Sequence, residues 1–364
     1  MSNLYHSIEY LQNDFLQRGQ YVKAHKVLLR LNLIISKLGG VLNWEKTKSL
    51  VWIQHRMYTR QLVESFGVGP STDPFGCNAE KKNLETLNNL ENLNFKNLKT
   101  LHKCTDGFVG SLVSEPLEDG TMNYAAISEL GMLLLHVFHG VQVCAKDKIS
   151  SCPSNLLLNW AVKQSEKLIN DLESRKSLHE YTKHMAQMLH HVMLGLIDLA
   201  ENIRPHGLTC YTQKKCKADI EKFSDIVSKV VNGPLKRATE IQKKLMIQSS
   251  ATVTLLYMPS YEIYGHVLLF FDKYAEAKEM FETSLQERMG RAVSLLGLAR
   301  AHAMLGNKQQ ADYFYKYLRK QLRQADKNNP MVKEAKRWSK SSSQAEKLRN
   351  RWFFPYFLKR PQKS

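Results

Sequence analysis

Several features that would mark a secreted or membrane-spanning protein are missing from this sequence. Its six cysteines include no closely spaced C-x-x-C pair, and the 364 residues contain no Asn-x-Ser/Thr acceptor for glycosylation. Residues 1–19 carry Glu9 and Asp14 and lack the apolar run that a secretory signal needs. The longest apolar stretches, 131–144 and 188–200, are interrupted by histidines too early to span a bilayer. We therefore expect a cytoplasmic protein, with the nucleus as the alternative compartment, whose cysteines are reduced thiols.

The common motifs of catalysis are also missing. The sequence has no G-x-x-x-x-G-K-[ST] phosphate loop, no dinucleotide-binding fingerprint and no G-x-S-x-G nucleophile motif. Carboxylate pairs such as Glu279 and Glu282 fall on a helical face that is otherwise polar. We therefore expect a protein that is not an enzyme and that needs no cofactor.

Histidines are the strongest remaining indication of an active site. Two helical segments carry them in groups, at His136 and His139 and at His184, His190 and His191. The pair His179-Glu180 followed by His184 is similar to a zinc-protease motif, but the second histidine comes five residues after the first instead of four. At that spacing the two rings lie about 140° apart around a helix and do not share a metal easily. We expect structural or surface roles and no bound metal; a histidine metal site within 123–203 is kept as an alternative.

Positive charge is in excess and is concentrated at the C-terminal end. Lys and Arg total 52 against 34 acidic residues, and residues 319–364 contain 14 basic and 3 acidic residues. This excess of positive charge creates an electric field that attracts nucleic acid or an anionic surface, although a run of charged residues is often only a solvated segment. The same tail holds five aromatic residues between 352 and 357. These aromatics stack on single-stranded bases, insert at an anionic membrane surface, or cover the last helices as a cap, and we favour the cap.

Helical periodicity and helix-breaking residues divide the chain into five regions. No alternating pattern is long enough for a sheet, so the predicted fold class is all-α. A glycine- and proline-rich break begins at residue 67. The predicted regions are an N-terminal helical region (1–66), a loop-rich connector (67–122), a divergent helical region (123–257), a repeat region (258–325) and a basic aromatic tail (326–364).

Within the repeat region, residues of similar size recur at a spacing of 34. Gly265 recurs as Ala299, Ala277 as Ala311, and Phe281 as Tyr315; Tyr264 recurs as Leu298. A fixed interval of this length is typical of a helix–turn–helix unit that stacks on a copy of itself, because neither copy can bury its apolar stripe alone.

These units resemble the tetratricopeptide repeat, whose pattern is W-x2-L-G-x2-Y, then A-x3-F, then P. The resemblance is clearest over 258–325, and a weaker match over 5–38 includes Gly19, Ala24 and Leu28. The terminal proline is missing in both clear copies, where Met289 and Arg323 stand.

The resemblance implies a right-handed superhelix whose first helices line a groove that binds a peptide or a helix of another protein. Carried onto this chain, the groove positions are Glu262, His266, Phe270, Arg300 and Met304. Only Arg300 is basic among them, which argues against binding of acidic chaperone tails. We accordingly expect an interaction scaffold in which Arg300→Glu weakens partner binding without unfolding. Nucleic-acid binding through the tail is the alternative function.

Overall fold

In the computed structural model of this protein, all regular structure among the described residues is helical, which confirms the all-α class. The described residues are 2–38, 50, 53, 57, 130–131, 134, 137, 162–163, 165–167, 169–170, 172–174, 180–203, 223–248, 259–327 and 329–340. The predicted connector (67–122), the six cysteines, His136, His139 and the aromatic residues between 352 and 357 lie outside them.

Ten helices span most of these residues. They are α1 (Ser2–Gln17), α2 (Tyr21–Lys37), α3 (Glu180–Ile203), α4 (Phe223–Val231), α5 (Pro234–Gln248), α6 (Ser260–Phe270), α7 (Tyr274–Glu287), α8 (Ala292–Met304), α9 (Lys308–Gln321) and α10 (Pro330–Lys340).

Helices α6 to α9 form two consecutive hairpins with the same spacing. We call α6–α7 the first tandem hairpin, α8–α9 the second tandem hairpin, and α1–α2 the N-terminal hairpin. The ends of α6 and α8, the starts of α7 and α9, and the ends of α7 and α9 are each separated by 34 residues. Each helix packs against the next along the chain, and α6 also contacts α8. The interval that the sequence predicts is therefore the spacing of the helices themselves.

Small residues meet aromatic rings where these hairpins stack. Ala277 and Ala311 are fully buried, as are Phe281 and Tyr315 one turn later. A Cβ atom added at Gly265 would lie only 2.8 Å from Cζ of Phe281, so the glycine permits this close approach. The prediction that both alanines face inward is confirmed.

A similar turn closes three hairpins among the described residues, including α1–α2. Gly19, Asp272 and Gly306 have positive φ angles of 67°, 63° and 79°. In each turn this residue's N–H donates to the carbonyl three residues back, and the following N–H donates to the carbonyl five residues back. This is the Schellman arrangement, which satisfies the last carbonyls of a helix. The weak N-terminal match therefore has the local geometry of the two clear hairpins.

Three hydrophobic clusters lie among the described residues, and two of them include the tandem hairpins. The first joins α3, α4 and α5 to the first tandem hairpin, through residues such as Leu196, Leu235 and Phe281. The second joins the N-terminal hairpin to the second tandem hairpin and α10, through residues such as Tyr21, Leu296 and Trp338. Each tandem hairpin thus packs against a different part of the chain.

Candidate functional site

The first helices of the two tandem hairpins, α6 and α8, carry the predicted groove residues. Both helices have apolar residues around most of their circumference. All residues of α6 and residues 292–303 of α8 are accordingly buried. Helices α3, α4 and α5 also contact α6. A groove lined by these two helices is therefore filled by side chains of the same chain.

Glu262 lies at the start of α6 and is 2% exposed. Both of its carboxylate oxygens accept hydrogen bonds from Arg291, from Nε at 2.6 Å and from Nη2 at 2.6 Å. Ser294 Oγ donates to the same carboxylate. Arg291 directly precedes α8, so this bidentate ion pair ties the first tandem hairpin to the second.

Arg300 lies in α8 and is 3% exposed. Its Nε and Nη2 atoms donate to the two carboxylate oxygens of Glu334 in α10, at 2.8 and 2.6 Å. Tyr315 Oη also donates to Glu334, at 3.1 Å. Removal of one partner from such a buried pair leaves the other charge uncompensated, which strongly destabilises a fold. From this geometry we expect Arg300→Glu to destabilise the fold, in place of the loss of partner binding alone that the sequence predicts, because the new carboxylate would face Glu334.

The remaining three predicted groove residues also pack inside the molecule. His266 is 5% exposed, and its ring meets Phe281 edge to face at a centroid distance of 5.0 Å. Phe270 is 1% exposed. Met304 is half-buried against the cluster that contains residues of the N-terminal hairpin. The structure does not bring the five predicted residues together on an open surface.

The N-terminal hairpin is fastened to the end of the second tandem hairpin by several hydrogen bonds. Asp326 N–H donates to the carbonyl of Gly19 at 3.0 Å, and Val22 N–H donates to Asp326 Oδ2 at 3.0 Å. Gln20 Nε2 donates to the carbonyl of Gln324 at 3.0 Å. Ala292 N–H, at the start of α8, donates to Oε1 of the α1 side chain Gln17. These contacts join segments about three hundred residues apart in sequence.

A buried polar network lies where α5 approaches the first tandem hairpin. Gln242 Nε2 donates to Glu287 Oε2 at 2.7 Å, and Gln242 Oε1 accepts from both the backbone N–H and the hydroxyl of Ser260. Burial raises the pKa of Glu287 to about 7, although Gln242, Arg288 and Arg291 oppose the shift. Elsewhere on α6, burial raises the pKa of Tyr264 to about 12, and its hydroxyl donates to the carbonyl of Val231 at 2.9 Å. Gln242 thus joins Glu287 at the end of α7 to Ser260 at the start of α6.

The described histidines of α3 do not converge on a common point. His190 Nδ1 lies 2.8 Å from Ser165 Oγ, and burial lowers the pKa of His190. Burial, then the neighbouring His190 and Arg237, lower the pKa of His191 to about 4. His184 lies 3.9 Å from Glu180 near the surface. Within the described part of the chain, no group of three or more His, Cys, Asp or Glu side chains is placed to hold a metal ion.

Helix α10 is a structural element that the sequence analysis missed. Pro330–Lys340 lies within the predicted tail, yet Trp338 is 2% exposed and stacks on Tyr315 at a centroid distance of 5.1 Å. Trp338 Nε1 also donates to Asp312 at 2.6 Å. Asn329 followed by Pro330 was the available signal, because an Asn cap and a proline in the first turn are typical of a helix start.

No helix among the described residues is both long enough and apolar enough to cross a membrane. No protein-family model, curated protein or solved structure matches this chain.

Proposed function

We propose that this protein is a non-enzymatic cytoplasmic scaffold of tetratricopeptide-like hairpins that binds another protein. The observation that supports this proposal best is the repetition of one hairpin geometry. Helices α6–α7 and α8–α9 share a 34-residue register, and the N-terminal hairpin shares their turn. Stacked hairpins of this kind present extended surfaces whose usual use is recognition of protein partners.

The burial of α6 and α8 bears on where a partner binds. Glu262 and Arg300 form internal ion pairs, so a peptide that used either side chain would have to break a pair. We therefore place the partner on the outward faces of the second helices of the hairpins. Peptide binding at Glu262, His266, Phe270, Arg300 and Met304 would require the covering helices to withdraw.

Affinity capture tests the scaffold function. The full chain is immobilised and exposed to native extract with and without nuclease, and bound proteins are identified by mass spectrometry. We expect a small set of proteins that withstands nuclease and is absent from a heat-unfolded sample of the same chain. Retention of nucleic acid alone, or of nothing beyond the unfolded control, would overturn the proposal.

Nucleic-acid binding is the second candidate function, and one surface of α9 favours it. Tyr313 and Tyr317 are 58% and 44% exposed, one turn apart on the helix. Lys316 and Lys320 are exposed beside them, and the basic tail follows. Exposed aromatic rings beside basic side chains are the features that bind single-stranded nucleic acid.

A salt titration with a single-stranded oligonucleotide tests this second candidate. Affinity governed by phosphate contacts falls steeply with added salt. We expect Tyr313→Ala/Tyr317→Ala to weaken binding further at each salt concentration, since stacking contributes about 1–3 kcal/mol per base. Salt-independent binding, or binding that the double variant leaves unchanged, would count against this function.

A further inference from the structure

The outward face of α2 carries a stripe of exposed aliphatic side chains. Val22, Leu29 and Leu33 are 52%, 45% and 56% exposed. Their spacing of seven and four residues places them within about 40° of one another around the helix. The opposite face, which includes Ala24 and Leu28, is buried. A single exposed leucine needs no explanation, but an aligned row of three on one helix is a surface suited to packing.

A row of positive charge runs along one edge of this stripe. Lys26, Arg30 and Lys37 are all exposed and follow the helix on the same side of the aliphatic row. The other edge carries the buried His25 and the half-buried Asn32, neither of which is basic at neutral pH, since burial lowers the pKa of His25. Helix α2 contains no acidic residue. Its outward surface is thus apolar along the centre and cationic along one edge.

The charge pattern selects among the partners that such a surface fits. In a second copy the cationic edge would face either the same cationic edge, when the helices pack antiparallel, or an edge without carboxylates, when they pack in parallel, because α2 contains no acidic residue. A helix that lies on a bilayer carries basic residues on the face opposite its apolar face, and commonly adds tryptophan or phenylalanine to the apolar face. In α2 the face opposite the aliphatic row is buried in the protein, and the aliphatic row contains no aromatic residue. A partner helix with apolar residues along its centre and carboxylates along one edge would match both the aliphatic row and the cationic edge of α2.

We propose that α2 binds an acidic amphipathic helix of a partner protein. Apolar residues of the partner at i, i+3, i+4 and i+7 pack on Val22, Leu29 and Leu33, because two helices bury their side-chain ridges against each other. Aspartate and glutamate residues along one edge of the partner pair with Lys26, Arg30 and Lys37. This inference rests on the proposed scaffold function, for which it names the surface and the partner class.

The test uses a fluorescent synthetic helix with leucines at helical spacing and glutamates along one edge. We expect saturable binding to the full chain, and at least a tenfold loss of affinity with Leu29→Glu/Leu33→Glu. The matched control is Met289→Glu/Leu305→Glu, which places the same charges at exposed apolar positions outside the second helices of the hairpins and is expected to bind the peptide as the unmodified chain does. Circular dichroism and the thermal midpoint check that both variants remain folded.

A charge-reversal pair makes the test specific. Lys26→Glu/Arg30→Glu is expected to lose the glutamate peptide and to gain a peptide of the same leucine pattern with lysines in place of the glutamates. The proposal is overturned if the glutamate peptide does not bind, if it binds Leu29→Glu/Leu33→Glu with unchanged affinity, or if phosphatidylserine vesicles bind and the peptide does not.

The extract experiment separates this inference from the function on which it rests. If Leu29→Glu/Leu33→Glu retains every captured protein, α2 is not the binding surface and the scaffold function stands. If the unmodified chain captures no protein, the scaffold function itself fails.

Discussion

The N-terminal hairpin and the second tandem hairpin share a turn but differ in what surrounds them. Ala24 and Ala311 occupy the same place after the turn, and both are fully buried. In contrast, α8 is buried over 292–303, whereas Tyr10 and Leu11 of α1 are 51% and 47% exposed. The turn is set by a few neighbouring residues, and the extent of burial is set by how many other helices pack against the hairpin.

A second difference lies in the middle of the first helix. Counted from the turn, Ala299 of α8 corresponds to Gln12 of α1. Gln12 is fully buried and donates its amide to the carbonyl of Met57 at 2.9 Å. A small residue at this place allows a close helix contact, whereas glutamine requires a polar partner from another segment. The N-terminal hairpin is therefore stacked differently from the tandem pair, despite the shared turn.

The largest expected effect concerns the buried ion pair of α8. We expect Arg300→Met to lower the free energy of unfolding by about 3–5 kcal/mol, because Glu334 would remain buried without its partner. Urea unfolding measures the change. Asn13 holds the corresponding position in α1, and its Oδ1 accepts no hydrogen bond from the described residues, so Asn13→Ala should cost less than about 1 kcal/mol.

A double variant decides whether the loss comes from the unpaired charge. Arg300→Met/Glu334→Leu should recover most of the stability that Arg300→Met loses, since no buried charge remains. If the single and double variants lose the same stability, packing, and not the ion pair, holds α8 against α10.

The next largest expected effect is the stability cost of replacing the glycine in two of the hairpin turns. Gly306→Ala should cost about 1 kcal/mol, the penalty of a left-handed backbone, because no atom lies within 4 Å of the added Cβ. Gly19→Ala should cost about 2–3 kcal/mol, because its Cβ would also lie 2.9 Å from the Cβ of Ala325. Urea unfolding of both variants measures the difference. Equal costs would contradict the close contact between the N-terminal turn and the segment that follows α9.

The smallest expected effect concerns the pH dependence of the first tandem hairpin. The folded-state pKa of Glu287 is raised from 4.5 to about 7, so its stabilising contribution is complete below pH 4.5 and is lost as the pH rises through 7. Gln321 holds the corresponding position in the second tandem hairpin. Glu287→Gln should therefore raise the free energy of unfolding at pH 8 by about 1–2 kcal/mol, a figure reduced for partial solvent exposure.

Urea titrations between pH 5 and pH 8 measure this dependence. The gain from Glu287→Gln should shrink toward pH 5, where the native carboxyl group is already mostly protonated in the folded state. A gain that stays constant across the range would show that the charge of Glu287 is not its cause.

The sequence alone determined the local features of this protein. Helical periodicity predicted the all-α class, and the 34-residue spacing placed Ala277 and Ala311 at buried contacts, because a recurring small residue beside an aromatic one is a packing signal. Gly19 and Gly306 marked two of the turns, since glycine adopts a positive φ at little cost. Each of these signals depends on residues within one or two turns of a helix.

Only the tertiary structure decided the environment of the predicted groove residues. Glu262 and Arg300 were polar residues on first helices, and nothing within either helix shows that Arg291 and Glu334 neutralise them. The contacts between the N-terminal turn and the end of α9 likewise join residues 304 positions apart. Periodicity identifies which face of a helix is buried against its neighbour along the chain, but it cannot show which distant segment covers the remaining face.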